Sequence, residues 1–244
     1  MTPETPTVYI FPHAGGSASF YVPFAKAFSA EVKRIAIQYP GTQSGLGPTA
    51  IPTIASLADN AYRVLTSAHG PHGPIAFFGH SMGALVAFEV ARRCESAGRP
   101  IAALFVSASA APSRMRDEYF RDLSDDELIK FLADLSGTDP KILDNKEFVD
   151  MLVPSLRGYY SAIAGYTCVP EATVSCPIYA FMGTDDLLAP YENVSAWSEH
   201  TTSEFAVRVF PGDHFYLFKH LVDVVGDLET RFRKAQAPKR GLFL

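Results

Sequence analysis

The chain alternates short apolar runs with segments of helical periodicity, and this alternation restricts its fold more than any other feature. Short apolar runs bounded by turn residues are typical of strands, whereas apolar residues spaced three and four apart are typical of helices. Strands that alternate with helices predict the α/β class, with a mostly parallel central sheet covered by helices. The predicted strands are Val8–Phe11, Val32–Gln38, Ile75–Phe78, Ile101–Val106, Ile178–Met182 and Phe205–Phe210. The predicted helices are Phe20–Ala27, Ile54–Ala68, Ala84–Ala97 and Phe215–Lys234.

Composition places the chain among globular proteins. Its 244 residues are 48% hydrophobic and 19% charged, and α/β chains of this size commonly form one domain. We therefore predict a single domain over residues 1–244, with residues 235–244 as a flexible tail. The net charge of −5 has the wrong sign for a nucleic-acid-binding domain.

Several sequence features bear on location and cofactors. No run approaches the roughly 18 apolar residues of a membrane-spanning helix, so we expect no membrane contact. The first residues lack the basic and apolar regions of a signal peptide. The three cysteines, Cys94, Cys168 and Cys176, lack the spacing of metal ligands. We therefore expect a cytoplasmic protein with reduced thiols. We also expect a monomer.

The segment between the fourth and fifth predicted strands is too long for a simple connection and needs structure of its own. Ser124 and Glu127 form a capping-box pattern ahead of an apolar run, which predicts a helix. A second helical run begins after Asp144 and is expected to kink at Pro154. We predict that residues 113–167 form a helical lid over one edge of the sheet. The alternative is that both helices pack as ordinary core.

A G-x-S-x-G pattern runs from Gly79 to Gly83 and places Ser81 at its centre. An apolar strand leads into the pattern and a helix leaves it, which is the strand, sharp turn and helix of a nucleophile elbow. Small residues at both glycine positions avoid collisions across such a turn. We therefore predict that Ser81 is a nucleophile. The alternative is a tight turn with a helix-capping serine.

A serine hydroxyl needs a base to activate it, and the base needs an acid to hold its tautomer. After a nucleophile elbow the acid and then the histidine follow along the chain, each on a loop after a strand. His214 follows the last predicted strand and is the only one of the seven histidines in that position. Asp186 follows the strand before it, with Asp185 as the rival acid. Because parallel strands end at the same edge, these loops are expected to meet Ser81.

An oxyanion hole in such a site uses the N–H after the nucleophile and a second N–H from the first strand-to-helix loop. Met82 follows Ser81 and is the predicted first donor. The glycine-rich loop Pro12–Ser17 is the predicted source of the second donor, with Ala14 favoured. A phosphate-binding loop is the alternative, but the chain lacks G-x-G-x-x-G and a Walker lysine there.

Four motifs occur in order along the chain: Phe11-Pro12-His13-Ala14-Gly15-Gly16-Ser17, Gln38-Tyr39-Pro40-Gly41, Gly79-His80-Ser81-Met82-Gly83-Ala84 and Gly212-Asp213-His214-Phe215-Tyr216-Leu217. Together they resemble the type II thioesterases, the stand-alone editing hydrolases of polyketide and nonribosomal peptide biosynthesis. The resemblance spans about residues 8–230. It implies an α/β-hydrolase fold with Ser81, Asp186 and His214 as catalytic residues and the amides of Ala14 and Met82 as oxyanion donors.

The same resemblance implies a substrate and a partner. It implies removal of stalled or aberrant acyl groups from the phosphopantetheine arm of acyl or peptidyl carrier proteins, with no metal or cofactor of the enzyme's own. Two departures from the family pattern stand out: Thr42–Ala50 contain no arginine, and Asp213 replaces a common glycine. The nearest alternatives are a carboxylesterase and an acyl-CoA thioesterase with small diffusible substrates. A non-catalytic module that docks carrier proteins is a further alternative from a different class.

Overall fold

The central element of the protein is a parallel sheet. The structure is a computed structural model that describes residues 5–40, 52–68, 73–115, 123–135, 146–169 and 171–236. Within them, six strands lie in the order β2-β1-β3-β4-β5-β6, and every neighbouring pair is parallel. This arrangement confirms the predicted α/β class. The strands are β1 Thr7–Phe11, β2 Lys33–Ala36, β3 Ile75–His80, β4 Ala103–Ser107, β5 Ile178–Gly183 and β6 Phe205–Phe210.

Hydrophobic clusters cover both faces of the sheet. Tyr9 and Phe11 of β1 belong to one cluster, while the alternate residues Val8 and Ile10 belong to the other. Alternation of side chains along a strand produces this division. Among the described residues, no helix has the length and apolar character needed to cross a membrane. The helices are α1 Val22–Lys26, α2 Ile54–Ala68, α3 Met82–Ser96, α4 Asp125–Asp134, α5 Lys146–Ala164, α6 Tyr191–Ser195, α7 Tyr216–Lys219 and α8 Leu221–Gln236, with short 3₁₀ turns at Pro112–Arg114 and Ala196–His200.

Two predictions at the C-terminal end were wrong in detail. The helix predicted over Phe215–Lys234 is two helices, α7 and α8, because the backbone leaves the helical region at His220 (φ −124°, ψ 35°). The predicted tail also begins too early, since α8 continues to Gln236. Ala235 packs against the hydrophobic cluster that covers this face, which extends the helix past the predicted boundary. Residues 237–244 lie outside the described residues.

The long segment between β4 and β5 contains the two helices expected there, α4 and α5. The capping box at α4 is present, because the backbone N–H and the hydroxyl of Ser124 both donate to Glu127 Oε2 at 2.7 Å. Arg157 joins the two helices by donating to the carboxylate of Asp125 and to the carbonyl of Leu123. Helix α5 continues through Pro154. Residues 116–122 and 136–145, including Asp144, lie outside the described residues.

Candidate active site

Ser81 stands in a sharp turn between β3 and α3. Its backbone has φ 55° and ψ −125°, a region that a residue with a side chain adopts only when its surroundings impose it. The N–H of Ser81 donates to the carbonyl of Ser107 at 2.8 Å, which holds the turn against β4. A Cβ at Gly79 would overlap the carbonyl of Gly83, and a Cβ at Gly83 would overlap the carbonyl of Phe11. Both glycines are therefore needed for the strand and the helix to approach this closely.

His214 and Asp186 form a buried pair on neighbouring loops, after β6 and β5. The Nδ1 of His214 lies 2.9 Å from Oδ2 of Asp186, and the two residues are 4% and 6% exposed. The backbone N–H of Leu188 donates to the other carboxylate oxygen of Asp186 at 3.0 Å. Asp185 is exposed, and its backbone N–H donates to Gly212. Of the two acids considered from the sequence, Asp186 is therefore the one that contacts His214.

A cavity of about 550 Å³ brings the site residues together at the carboxyl edge of the sheet. Ser81, Asp186 and His214 all line it, although they follow three different strands. Parallel strands end at one edge, which explains why residues so distant in sequence share a cavity. The described residues contain no group of three or more His, Cys, Asp or Glu that could hold a metal ion. The apolar lining includes Met82, Leu85, Met115, Phe131, Leu135, Leu152, Leu156, Tyr160 and Ile163.

The predicted oxyanion residues, Ala14 and Met82, also line the cavity. Met82 is the first residue of α3, and the first N–H groups of a helix have no partner within the helix. The positive end of the helix dipole also favours negative charge there. The loop that carries Ala14 turns at Gly15, whose φ is 76°, and a Cβ at Gly15 would lie 2.7 Å from Leu156 Cδ2. Helix α5 therefore packs directly on this loop.

Two further histidines, His13 and His80, lie beside the site, and neither was predicted to have a role. His13 lines the cavity, and its Nδ1 lies 2.9 Å from the hydroxyl oxygen of Tyr21. Burial, with a smaller effect of the nearby His214, lowers the pKa of His13 to about 3. Burial likewise holds the pKa of His80 well below its usual value. Both rings are therefore neutral near pH 7, and their position in two glycine-rich motifs was the signal available in the sequence.

The structure bears on one of the two departures from the family pattern. Asp213 lines the cavity, and its carboxylate is already paired. That carboxylate accepts from the backbone N–H of Phe215 at 3.1 Å and pairs with Lys219 at 2.7 Å. The other departure, Thr42–Ala50, lies outside the described residues.

Comparison with known proteins places the chain in a family. A family model described as "Thioesterase domain" matches residues 6–232. Thioesterase TesA of Mycobacterium leprae is 48% identical over 230 residues, which cover 94% of this chain and 88% of that protein. A probable cadicidin biosynthesis thioesterase of Streptomyces griseus is 39% identical, over 94% of this chain and 62% of that protein.

Solved structures agree with the sequence relatives. The type II thioesterase BorB from the borrelidin biosynthetic cluster has a TM-score of 0.84 and 41% identity, covering 95% of this chain and 94% of BorB. The RedJ thioesterase of the prodiginine pathway in Streptomyces coelicolor has a TM-score of 0.82 and 34% identity, covering 92% of this chain and 86% of RedJ. The resemblance predicted from the four motifs is confirmed: the chain belongs to the thioesterase family, within the type II thioesterases of the α/β-hydrolase fold.

Proposed function

We propose that this thioesterase hydrolyses acyl groups from the phosphopantetheine arm of carrier proteins, with Ser81 as nucleophile, His214 as base and Asp186 as the orienting acid. The observation that carries the proposal is the buried His214–Asp186 hydrogen bond of 2.9 Å, at a cavity that Ser81 also lines. A base held by a carboxylate beside a serine in a strained elbow is the arrangement that activates a hydroxyl.

The first half of the reaction acylates Ser81. Its Oγ attacks the thioester carbonyl while Nε2 of His214 takes the hydroxyl proton. Asp186 accepts from Nδ1–H of His214, which fixes the tautomer and stabilises the imidazolium that forms. The amides of Ala14 and Met82 stabilise the oxyanion, and losing one such donor typically costs about 10²- to 10³-fold in rate.

The second half releases the acid. The leaving group is the thiol of the carrier arm. Because a free thiol such as that of cysteine has a pKa of about 8.5, the thiolate departs more readily than an alkoxide, and its protonation is less critical. The imidazolium of His214 gives the proton it took from Ser81 to the departing thiolate and becomes neutral again. His214 then removes a proton from water as the water attacks the acyl-enzyme, and it passes this proton to the oxygen of Ser81 as the acid leaves. The products are a carboxylic acid and a carrier arm with a free thiol, and Ser81 regains its proton. No metal or cofactor enters either half.

Biosynthetic context favours a carrier-bound substrate over a diffusible one. Several similar proteins are named for biosynthetic pathways, including the gramicidin S biosynthesis protein GrsT at 32% identity and ClbQ from the colibactin NRPS/PKS pathway at 26% identity. In this proposal, residues 113–167 act as a lid, with α4 and α5 forming one wall of the acyl chamber. Leu156 of α5 packs against Gly15 in the loop that carries Ala14, and this packing supports that role because it places α5 beside the site.

Rates on three forms of one acyl group test the function. A hexanoyl group on a carrier protein is expected to be hydrolysed with a higher kcat/KM than hexanoyl-CoA, and with a much higher one than an oxygen ester. Binding energy from the carrier raises kcat/KM only when the site has evolved to use it. Release of hexanoic acid from each substrate is followed by chromatography. Preference for the oxygen ester would favour a carboxylesterase, and preference for hexanoyl-CoA would favour an acyl-CoA thioesterase.

The charges that line the cavity predict which acyl groups it accepts. The cation of Arg114 is already paired with Glu199, and the carboxylates of Asp186 and Asp213 are paired with His214 and Lys219, so the described lining offers no unpaired cation to a substrate carboxylate. We therefore expect a hexanoyl group to be hydrolysed at least about tenfold faster, in kcat/KM, than a glutaryl group on the same carrier, because an unpaired carboxylate is costly to desolvate. Parallel single-substrate assays measure this ratio. Equal rates would contradict the expectation.

A further inference from the structure

A buried chain of three polar side chains lies beneath the cavity. The Nδ1 of His80 lies 2.9 Å from the hydroxyl oxygen of Ser107, and that oxygen lies 2.7 Å from the hydroxyl oxygen of Tyr216. All three residues are 0% exposed. Burying a polar group costs free energy unless the group is hydrogen-bonded. The hydrogen bonds among these three side chains therefore compensate for their burial and fix their arrangement.

The hydrogen-bonded side chains of His80, Ser107 and Tyr216 join the two loops that carry the nucleophile and the base. His80 directly precedes Ser81, and Tyr216 follows His214 by two residues. Ser107 connects them from the end of β4, a strand that carries no member of the proposed triad. The backbone carbonyl of Ser107 also accepts the N–H of Ser81 at 2.8 Å. Ser107 therefore holds two adjacent residues of the elbow, Ser81 through its backbone carbonyl and His80 through its side chain.

The ring of His80 supports the ring of His214. Their centroids are 5.1 Å apart with an interplanar angle of 52°. Phe215 closes the packing, with its ring 5.3 Å from each of the two imidazoles. The Nε2 of His80 is buried and has no hydrogen-bond partner among the described residues, so the hydrogen bond of Nδ1 with Ser107 is the one that orients this ring there. Unsatisfied buried groups of this kind are rare and need a reason.

The charge state of His80 suits a neighbour that becomes positive. The groups that face it are the rings of His13 and His214 and the hydroxyl of Ser107, which Tyr216 contacts in turn. Burial keeps His80 neutral, and a protonated His13 or His214 would disfavour a charge on it further. A neutral ring can rest against the imidazolium of His214 without repelling it.

We infer that His80, Ser107 and Tyr216 are positioning residues that hold the imidazole of His214 in register with the hydroxyl of Ser81. The inference rests on the proposed roles of Ser81 and His214. Neither hydroxyl touches the substrate in this account; each acts through the His80 ring. Small errors in the relative position of base and nucleophile are expensive, since a misplacement of about 1 Å can cost about 10²-fold in rate.

Variants that each remove one oxygen atom test the inference. Tyr216→Phe and Ser107→Ala are each expected to lower kcat about tenfold to a hundredfold with little change in KM, because positioning affects the reacting groups and not binding. The assay uses the hexanoyl thioester of pantetheine. The matched control is Tyr179→Phe, a buried tyrosine of β5 whose hydroxyl contacts Glu204; it should keep the kcat of the unmodified chain.

The double variant separates positioning from packing. If the three side chains act as one unit, Ser107→Ala with Tyr216→Phe should lose about as much as either change alone, whereas independent packing losses would multiply. The rate of fluorophosphonate labelling of Ser81 should fall in parallel with kcat. Thermal melting confirms that each variant is folded at the assay temperature. Because the two single variants remove different hydroxyl groups of the same hydrogen-bonded set, one still tests the inference if the other does not fold.

The outcomes are distinguishable from failure of the proposed function. Wild-type kcat in both single variants, or multiplied losses in the double variant, would overturn the positioning role while leaving the triad in place. A rise in KM at constant kcat would also overturn it, because that pattern belongs to substrate binding. If the unmodified chain itself fails to label at Ser81, the proposed function fails first.

Discussion

Replacing Ser81 with alanine is expected to lower thioester hydrolysis by about 10⁴- to 10⁶-fold, the range typical of nucleophile deletions in serine hydrolases. The substitution removes one oxygen that caps no helix, so the fold is expected to persist. The remaining activity would come from the oxyanion donors and the cavity alone. Hydrolysis is measured by thiol release from the hexanoyl thioester of pantetheine, with circular dichroism to confirm the fold.

Ser109→Ala is the matched control for that experiment. Ser109 also lines the cavity, but its hydroxyl donates to the neighbouring carbonyl of Ala110 at 3.2 Å and not to His214 or Asp186. We expect this variant to retain activity within about threefold, since it leaves the reacting groups in place. Hydrolysis that survives Ser81→Ala at the same rate as in Ser109→Ala would refute Ser81 as the nucleophile.

Asp186→Asn is expected to lower kcat by about 10⁴-fold while the fold stays intact. The carboxylate of Asp186 accepts a hydrogen bond from Nδ1 of His214, and an amide in its place can donate instead. His214 would then carry its proton on Nε2, where it could not accept the proton of Ser81. Steady-state kinetics on the same thioester measure the loss, and a KM close to that of the unmodified chain is expected.

Asp185→Asn provides a matched control one residue away. Asp185 lines the same cavity and is exposed, while its backbone contact with Gly212 does not depend on the side chain. This variant should keep kcat within about threefold, because an exposed carboxylate contributes little to a neighbouring site in water. The reverse result, a large loss in Asp185→Asn and none in Asp186→Asn, would make Asp185 the acid.

The nucleophile elbow could be predicted because its signal is local. Gly79 and Gly83 stand at the two positions where a Cβ would overlap backbone atoms, and both lie within two residues of Ser81. The elbow therefore needs a fixed short pattern, which a sequence displays directly. The parallel sheet was predictable for a similar reason, since strands buried on both faces are continuous apolar runs.

The residues alone favoured Asp186 as the acid but could not exclude Asp185. Adjacent residues point in different directions, and which one meets His214 depends on how the loop after β5 turns. In the structure that turn is set by hydrogen bonds from Thr184 to Phe210 and from Asp185 to Gly212, which tie the loop to the loop after β6. Contacts between distant segments of this kind have no local pattern.

The hydrogen bonds that connect His80, Ser107 and Tyr216 could not be predicted from the sequence for the same reason. Its members are separated by 27 and 109 residues along the chain, and each belongs to a common residue type. Only the register of β3 against β4, which places His80 opposite Ser107, brings the first pair together. Helix α7, which the sequence analysis merged with α8, carries the third member.

The central claim is that Ser81 becomes covalently acylated, and peptide mapping after fluorophosphonate labelling tests it most directly. The claim predicts one label for each chain, on the peptide that contains Ser81, with hydrolysis lost in proportion to labelling. Prior incubation with a carrier-bound hexanoyl group should slow the labelling, since both reagents compete for one hydroxyl. A label on another residue, or thioester hydrolysis that continues after Ser81 is fully labelled, would contradict the claim.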